Sequence, residues 1–183
     1  ESPTFFEAMT ALALWHFDRE DVDVAVLEVG IGGRLDATSV VEPMASAVTT
    51  VSLEHTQLLG DTVEEIATDK AHVAPAGRPL VTGATGDALG AVREQAGDVL
   101  TVGDEDAAVT TSYGGRTNHV EAAVSVAGED ADGTAWRVDT RIPTLGAHQA
   151  TNAGIACALA RQAGDELGAA VGEETLARGL RNA

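Results

Sequence analysis

Residues 45–70, ASAVTTVSLEHTQLLGDTVEEIATDK, join a mostly apolar run of strand length to a segment with the signals of a helix. Runs of this kind, without strict alternation, are typical of strands covered on both faces. Thr62 precedes the helical segment and Glu65 follows three residues later, which is the spacing of a capping box. The stretch therefore predicts a strand, a loop that contains His55, and a helix that reaches Lys70.

The segments on either side repeat this alternation of strand and helix. Further strands are predicted in VDVAVLEV at residues 22–29, PLVTG at 79–83 and VLTVG at 99–103. Helices are predicted at the start of the chain, where Ser2 is expected to be the cap and Pro3 to lie in the first turn, and also at residues 87–97 and 146–164. Alternation of this kind indicates an α/β fold with a mostly parallel, doubly wound sheet and helices on both faces.

The texture of the sequence changes after residue 103. AAVTTSYGG, VEAAVSVAG and TAWRVDTRIP are short strand-like runs, and turn-rich links such as GEDADG separate them. We therefore expect a small antiparallel β addition over about residues 104–142.

The charge balance excludes some classes of partner. The chain has 183 residues, with 11 basic and 29 acidic side chains and a net charge of −18. This charge argues against binding to nucleic acid or to an anionic membrane, and no apolar run reaches the length of a membrane span. An acidic surface with Lys70 as its only lysine suits a protein that stays soluble in concentrated salt. With a lone cysteine, Cys157, in an apolar helical stretch, we expect a reducing, halophile-like cytoplasm.

Two polar side chains follow predicted strands. Glu28 lies at the end of the run at residues 22–29, and His55 follows the next run. Ligands of doubly wound sheets bind at the carboxyl ends of the strands. A carboxylate and an imidazole at that edge could hold a divalent ion, with water and phosphate oxygens completing its shell. The alternatives are a solvated strand end for Glu28 and a loop histidine satisfied by its neighbours for His55.

Lys70 is the third candidate because every other basic residue, apart from histidine, is an arginine. Arginine does not lose its proton in proteins, whereas lysine can be tuned and chemically modified. The alternative is an ordinary surface lysine. The phosphate-binding pattern GxxxxGK[ST] is absent, and GIGG at residues 30–33 lacks the GxGxxG spacing, although its glycines would let the backbone approach a ligand closely. Asn152, near the start of its helix, could equally cap it or face solvent.

Four segments, in order, resemble the folylpolyglutamate synthase and dihydrofolate synthase family of the Mur ligase superfamily. PTFFEAMTALAL resembles its T-x-F-E helix, and VAVLEVGIGGRLDATSVVEP is similar to its E-V-G-x-G-G-R-x-D-A-T-N signature. TTVSLEHTQLLGDTVEEIATDKAHVAP is similar to its T-N-I-x-x-D-H-x-x-x-L-G-x-T-x-x-x-I-A-x-E-K-A segment. GAHQATNAGIACALA resembles its G-x-H-Q-x-x-N-A motif.

The resemblance implies an ATP-dependent ligase that adds L-glutamate to dihydropteroate or to folates through an acyl phosphate. It implies that Glu28 and His55 bind magnesium beside the ATP phosphates, that Lys70 carries a carbamate, and that Asn152 contacts ATP. The residues that it assigns to the pterin side of the substrate site are Thr4, Phe5, Phe6, Glu7, Leu35, Asp36 and Ala37. The glycines after Glu28 would then let that loop fold over a flat substrate.

Residues 1–183 are expected to form the later portion of a Mur-ligase-type central ATPase domain. The family's phosphate loop would precede them, and its carboxy-terminal glutamate-binding domain would follow. We therefore expect no ATP turnover from these residues alone.

The sequence also shows departures from the family pattern. Glu54 replaces the aspartate before the histidine, Thr50 replaces an asparagine, and Ser39 replaces the final asparagine of the loop signature. These changes concern the details of the substrate more than the chemistry. The alternative within the same class is a Mur-type ligase for another carboxylate substrate, against which GGRLDATS argues. An alternative from a different class is a non-catalytic binding module with the same fold, against which Lys70, together with Glu28 and His55, argues.

Overall fold

Within residues 2–117 and 120–183, which the computed structural model describes, six strands form one sheet in the order β1-β2-β3-β4-β5-β6. The strands are Ser46–Val48 (β1), Leu80–Thr82 (β2), Val99–Gly103 (β3), Val109–Arg116 (β4), Ala122–Glu129 (β5) and Ala135–Ile142 (β6). Neighbours from β1 to β4 are parallel, whereas β5 is antiparallel to both β4 and β6. This confirms the predicted mostly parallel sheet with an antiparallel addition.

The helices are Phe5–Arg19 (α1), Thr56–Leu59 (α2), Val63–Ala71 (α3), Gly86–Ala96 (α4), His148–Leu167 (α5) and Glu173–Arg181 (α6), with a short 3₁₀ helix at Ala37–Val40. The predicted capping box of Thr62 and Glu65 is present at the start of α3. None of the helices in the described part of the chain has the length and apolar character needed to cross a bilayer. The helix α6 was not predicted from the sequence.

The cap of the first helix is Thr4, so the prediction of Ser2 was wrong. The Thr4 hydroxyl accepts the backbone N–H of Glu7, and the Glu7 carboxylate accepts the backbone N–H of Thr4 at 2.7 Å. Of Ser2 and Thr4, only Thr4 has a glutamate three residues later, and the pair of Thr4 and Glu7 satisfies two backbone donors at once. Pro3 consequently precedes the helix instead of lying in its first turn.

The core has one layer on each face of the sheet. Leu80 of β2 packs with Val92 of α4 and with α3, whereas the next residue, Val81, packs with Ile155 of α5. Successive residues of a strand point to opposite faces, so β2 supplies both layers. The helices α3 and α4 therefore cover one face and α5 covers the other, which confirms helices on both faces.

Residues 22–29 do not form the strand that their apolar pattern predicts. The side chain of Val26 is 90% exposed, and α1, which precedes this segment, has no buried residue. A strand requires a neighbour that accepts and donates its backbone hydrogen bonds, and none of the described residues pairs with this segment. The prediction of a strand at residues 22–29 was therefore wrong, because an apolar pattern does not show whether another strand is present to pair with it.

Two glycines inside helices provide a test of the packing between α5 and the sheet. A Cβ at Gly154 of α5 would lie 2.5 Å from methyl groups of Thr111 and Val102, whereas a Cβ at Gly90 of α4 would meet nothing within 4 Å. Both Gly→Ala changes gain about 1 kcal/mol of helix propensity. We therefore expect Gly154→Ala to be less stable than Gly90→Ala by about 1–3 kcal/mol, the cost of overpacking. Urea unfolding followed by circular dichroism measures this difference, and equal stabilities would contradict the close packing.

Candidate functional site

His55 lies in the loop after β1 and is the N-cap residue of α2. Its φ angle of 48° is in the left-handed region, which is uncommon for a residue other than glycine. The helix α2 begins here, because the His55 carbonyl accepts the N–H groups of Leu58 at 2.9 Å and Leu59 at 3.0 Å. In the described part of the chain the imidazole is exposed and does not cap α2. The ring nitrogens therefore remain available at the surface.

Lys70, in the last turn of α3, reaches back to the residue before His55. Its Nζ atom lies 2.8 Å from Oε1 of Glu54, and the two side chains are 20% and 44% exposed. The hydrogen bond from Lys70, followed by the positive charge of Lys70, lowers the pKa of Glu54. Because solvent reaches the pair through Glu54, the pair adds little to stability, and it holds the amine beside Glu54. The structure thus brings Lys70 together with the Glu54–His55 segment.

Residues 30–39, which we call the glycine loop, are shaped by Asp36. One carboxylate oxygen of Asp36 accepts the N–H groups of Gly30 at 3.0 Å and Ile31 at 3.2 Å, and the other accepts the N–H and hydroxyl of Thr38. Burial by itself raises the pKa of Asp36, but the hydrogen bonds from Thr38, Ile31 and Gly30 outweigh it and the pKa is lowered. Asp36 therefore holds the loop as an ionised carboxylate.

The glycine loop rests on the end of α3. Gly32 and Gly33 are buried, and a Cβ at Gly33 would lie 2.7 Å from the carbonyl oxygen of Lys70 and 2.8 Å from that of Asp69. Glycine is required here because the loop backbone approaches the helix backbone, whereas the sequence suggested an approach to a ligand. The side chain of Asp69 also accepts the N–H of Gly33 at 3.1 Å. Sequence analysis did not single out Asp69, and its place beside Lys70 in the third matching segment was the available signal.

The first helix contributes to the same region. A Cβ at Gly30 would lie 2.9 Å from Cζ of Phe6, so the Phe6 ring packs against the start of the glycine loop. The Thr4 and Glu7 side chains are joined in the capping box, and the pKa of Glu7 is lowered, chiefly by the hydrogen bond from the backbone N–H of Thr4. Phe5 is largely exposed. Of the predicted substrate residues at the start of α1, Phe6 thus lies next to the glycine loop.

The remaining loop residues differ in exposure. Leu35 is largely exposed, whereas Ala37 is half-buried and begins the 3₁₀ helix. Leu35 thus presents an apolar side chain to solvent directly beside Asp36.

Asn152 lies near the start of α5, the helix on the face of the sheet opposite α3 and α4. Its Nδ2 donates to Oε1 of Gln149 at 3.1 Å. The adjacent residue, Thr151, packs against Gly83, and a Cβ at Gly83 would lie 2.6 Å from the carbonyl oxygen of Thr49. Gly83 follows β2 and Thr49 follows β1, so the first turns of α5 lie where these strands end.

Glu28 is not held by the contacts that position the other candidates. It is exposed and lies in the segment that forms no strand. Within the described residues, no hydrogen bond or ion pair engages its carboxylate, and no group of three or more His, Cys, Asp or Glu side chains could hold a metal ion. A metal bound by Glu28 and His55 would therefore need most of its ligands from water or from a bound substrate.

The family is shown by a match over most of the chain. The family model described as the Mur ligase middle domain matches residues 2–160. The chain belongs to this family.

Individual relatives agree with this assignment. The chain is 64% identical to a "Probable bifunctional folylpolyglutamate synthase/dihydropteroate synthase" of Halobacterium salinarum, over 100% of the chain and 21% of the relative. It is 64% identical to a protein of the same description from Haloferax volcanii, again over 100% of the chain and 21% of the relative. A solved "FPGS-AMPPCP-folate complex" has a TM-score of 0.84 and 33% identity, over 99% of this chain and 43% of that chain. The chain thus spans about a fifth of the length of the two relatives, and the family resemblance seen in the sequence is confirmed.

The pairing of Lys70 with Glu54 can be tested by chemical labelling. Glu54→Gln removes the negative charge that orients the amine, so we expect Lys70 to react about two- to fivefold faster with an amine-specific reagent, as breaking an exposed ion pair allows. Mass spectrometry of the peptide that contains Lys70 measures the rate. Glu64→Gln, at an exposed position in the first turn of the same helix, is the control. Equal rates in both variants would mean that Glu54 does not restrain Lys70.

Proposed function

We propose that the protein carrying this chain is an ATP-dependent ligase that joins L-glutamate to dihydropteroate or to a folate. The observation that carries the proposal is the position of Lys70, the only lysine, on the helix that also supports the glycine loop. One helix thus joins the candidate catalytic amine to the candidate substrate residues. The names of the Halobacterium and Haloferax relatives support the same activity.

In the proposal, the two substrates contact different segments of the chain. The similar solved structure is a complex with AMPPCP, an ATP analogue, and folate. In our proposal ATP contacts Asn152 at the carboxyl edge of the sheet. The pterin side of the second substrate contacts Thr4, Phe5, Phe6, Glu7, Leu35, Asp36 and Ala37. The exposed side chains of Phe5 and Leu35 provide apolar surface for a flat ring.

The reaction proceeds in two steps. An oxygen of the substrate carboxylate attacks the γ-phosphorus of ATP, and ADP leaves as the acyl phosphate forms. The amine of L-glutamate then attacks the acyl carbon, loses a proton, and phosphate leaves as the amide bond forms. Positioning and electrostatic stabilisation supply most of the rate enhancement in such transfers.

Lys70 acts in this proposal after modification. Its neutral amine forms a bond to the carbon of carbon dioxide and loses a proton, which converts a cation into a carbamate anion. An arginine could not take this role because it stays protonated. The carbamate would help to place the metal ion and the substrate.

Glu28 and His55 would hold a magnesium ion beside the phosphates. Both side chains are exposed, and two protein donors leave the rest of a six-coordinate shell to water and phosphate oxygens, so this donor set suits an ion that arrives with its nucleotide. When bound, the ion neutralises negative charge on the phosphates. The chain has a net charge of −18, which repels two anionic substrates, so a bound cation is all the more necessary for them to meet.

Composition and the two relatives support a proposal about the setting of the enzyme. We propose a salt-rich cytoplasm, consistent with the single lysine and with relatives from Halobacterium and Haloferax. We also propose that this chain is the later portion of the central ATPase domain and that its partners are small molecules and the flanking domains of the same parent chain. An isolated 183-residue chain would then show no ATP turnover.

The role of Lys70 can be tested in the intact parent protein. We expect Lys70→Arg to lower ligation on the order of 10²–10³-fold, because the guanidinium keeps its positive charge and cannot supply the stabilising anion. ADP release and product mass are measured with dihydropteroate and, separately, with tetrahydrofolate, each with L-glutamate. Arg93→Lys, at an exposed position of α4, is the control and should leave the rate unchanged. Retained activity in Lys70→Arg would remove Lys70 from the mechanism, and a wild-type protein that used neither pterin substrate would favour another carboxylate substrate.

A further inference from the structure

Asp69 joins two parts of the candidate site that are far apart in the sequence. Its Oδ2 atom accepts the N–H of Gly33 at 3.1 Å, and its Oδ1 atom lies 3.6 Å from Nε of Arg34. The Asp69 side chain is only 17% exposed, whereas that of Arg34 is 60% exposed. The bond to the Gly33 N–H is therefore the protected contact, and the ion pair to Arg34 is the exposed one.

The glycine loop is shaped to receive this carboxylate. Gly32 has a φ angle of 72°, and a Cβ at this position would collide with Oδ2 of Asp69 and would lie 2.8 Å from Cδ2 of Leu59. A Cβ at Gly33 would collide with the backbone of α3. Gly32 thus leaves room for the Asp69 carboxylate, and Gly33 leaves room for the last turn of α3.

The other hydrogen bonds that the described residues make with the loop do not connect it to α3. Asp36 binds Gly30, Ile31 and Thr38, and the hydroxyl of Ser39 donates to the carbonyl of Gly33 at 2.8 Å. Within the described residues, the hydrogen bonds of residues 30–39 otherwise stay inside the loop and its 3₁₀ helix. The hydrogen bond from the Gly33 N–H to Asp69 is consequently the one that connects the glycine loop to α3, the helix of Lys70.

We propose that Asp69 is a positioning residue for the substrate loop. It fixes residues 30–39 on α3, where the residue after Asp69 is Lys70. A substrate bound to the loop is thereby held at a set distance from the reacting groups. This inference rests on the proposed function for its effect on catalysis, but its structural part needs no substrate.

The chemistry of the contact predicts which substitutions preserve it. Asp69→Ala removes the acceptor and frees the loop. Asp69→Asn keeps an oxygen that can accept the N–H of Gly33 and loses only the exposed interaction with Arg34, which contributes little. The asparagine variant should therefore behave almost like the wild type.

The test combines hydrogen exchange and kinetics in the intact parent protein. Without substrate, we expect exchange in the peptide covering residues 30–40 to rise about tenfold in Asp69→Ala, the factor for losing a hydrogen bond to a charged group, and to stay within about twofold in Asp69→Asn. The KM for the folate substrate should rise by a similar factor in Asp69→Ala, while the KM for ATP stays within about twofold. Asp87→Ala and Asp87→Asn, at an exposed position in the first turn of α4, are the matched controls.

Several outcomes would overturn the inference. For hydrogen exchange, these are an unchanged rate in Asp69→Ala, or a faster rate throughout the chain, as in a variant that does not fold. Release of the loop in Asp69→Asn is a third. For kinetics, it is an equal rise in the KM for the folate substrate and the KM for ATP. A protein that shows the predicted exchange but ligates L-glutamate to neither pterin substrate would contradict the proposed function and support Asp69 as the anchor of the loop.

Discussion

The candidate site depends on a close contact between two backbones. The loop at Gly33 lies against the carbonyl oxygens of Asp69 and Lys70 at a distance that leaves no room for a Cβ atom. The end of α3 therefore has two roles, because it carries the single lysine and also supports the loop that Asp36 shapes. A change in the packing of α3 would move the amine and the loop together, which keeps their relative geometry constant.

The sheet fixes the position of α3. Leu80 and Val81, adjacent in β2, are fully buried in the two opposite core layers, so the strand is fixed from both sides. The parallel strands β1 and β2 end at one edge, where Thr49 and Gly83 approach closely and the first turns of α5 are attached through Thr151. Ligand-binding groups at this edge come from loops, whereas the rigid strands and helices set the distances between them.

The antiparallel addition is secured separately, by contacts with α5 and α6. Arg161 of α5 forms a two-pronged interaction with Asp130, beyond the end of β5, and its guanidinium lies 5.1 Å from the ring centre of Trp136. Glu173 of α6 accepts the N–H of Arg137 at 2.7 Å and so satisfies a donor on the outer edge strand. Covering an edge strand in this way limits unwanted pairing with other chains. The addition therefore extends the sheet without depending on the helix that carries Lys70.

Most of the elements were predictable from the sequence because their signals are local. The capping box of Thr62 and Glu65, the short apolar runs and the strong helix at residues 146–164 depend on residues at most a few positions apart. The motifs that identify the family are also contiguous, and the unusual use of one lysine is a property of composition.

By itself, then, the sequence determined the alternation of strands and helices, the family, and the set of candidate residues. Only the tertiary structure decided that residues 22–29 pair with no strand among the described residues, that Gly32 and Gly33 pack on α3, and that Asp69 holds the loop. The physical reason is distance along the chain. Strand pairing and glycine packing depend on a partner that lies elsewhere in the sequence, such as Asp69 for Gly33, and no local pattern specifies which partner folding will bring into contact.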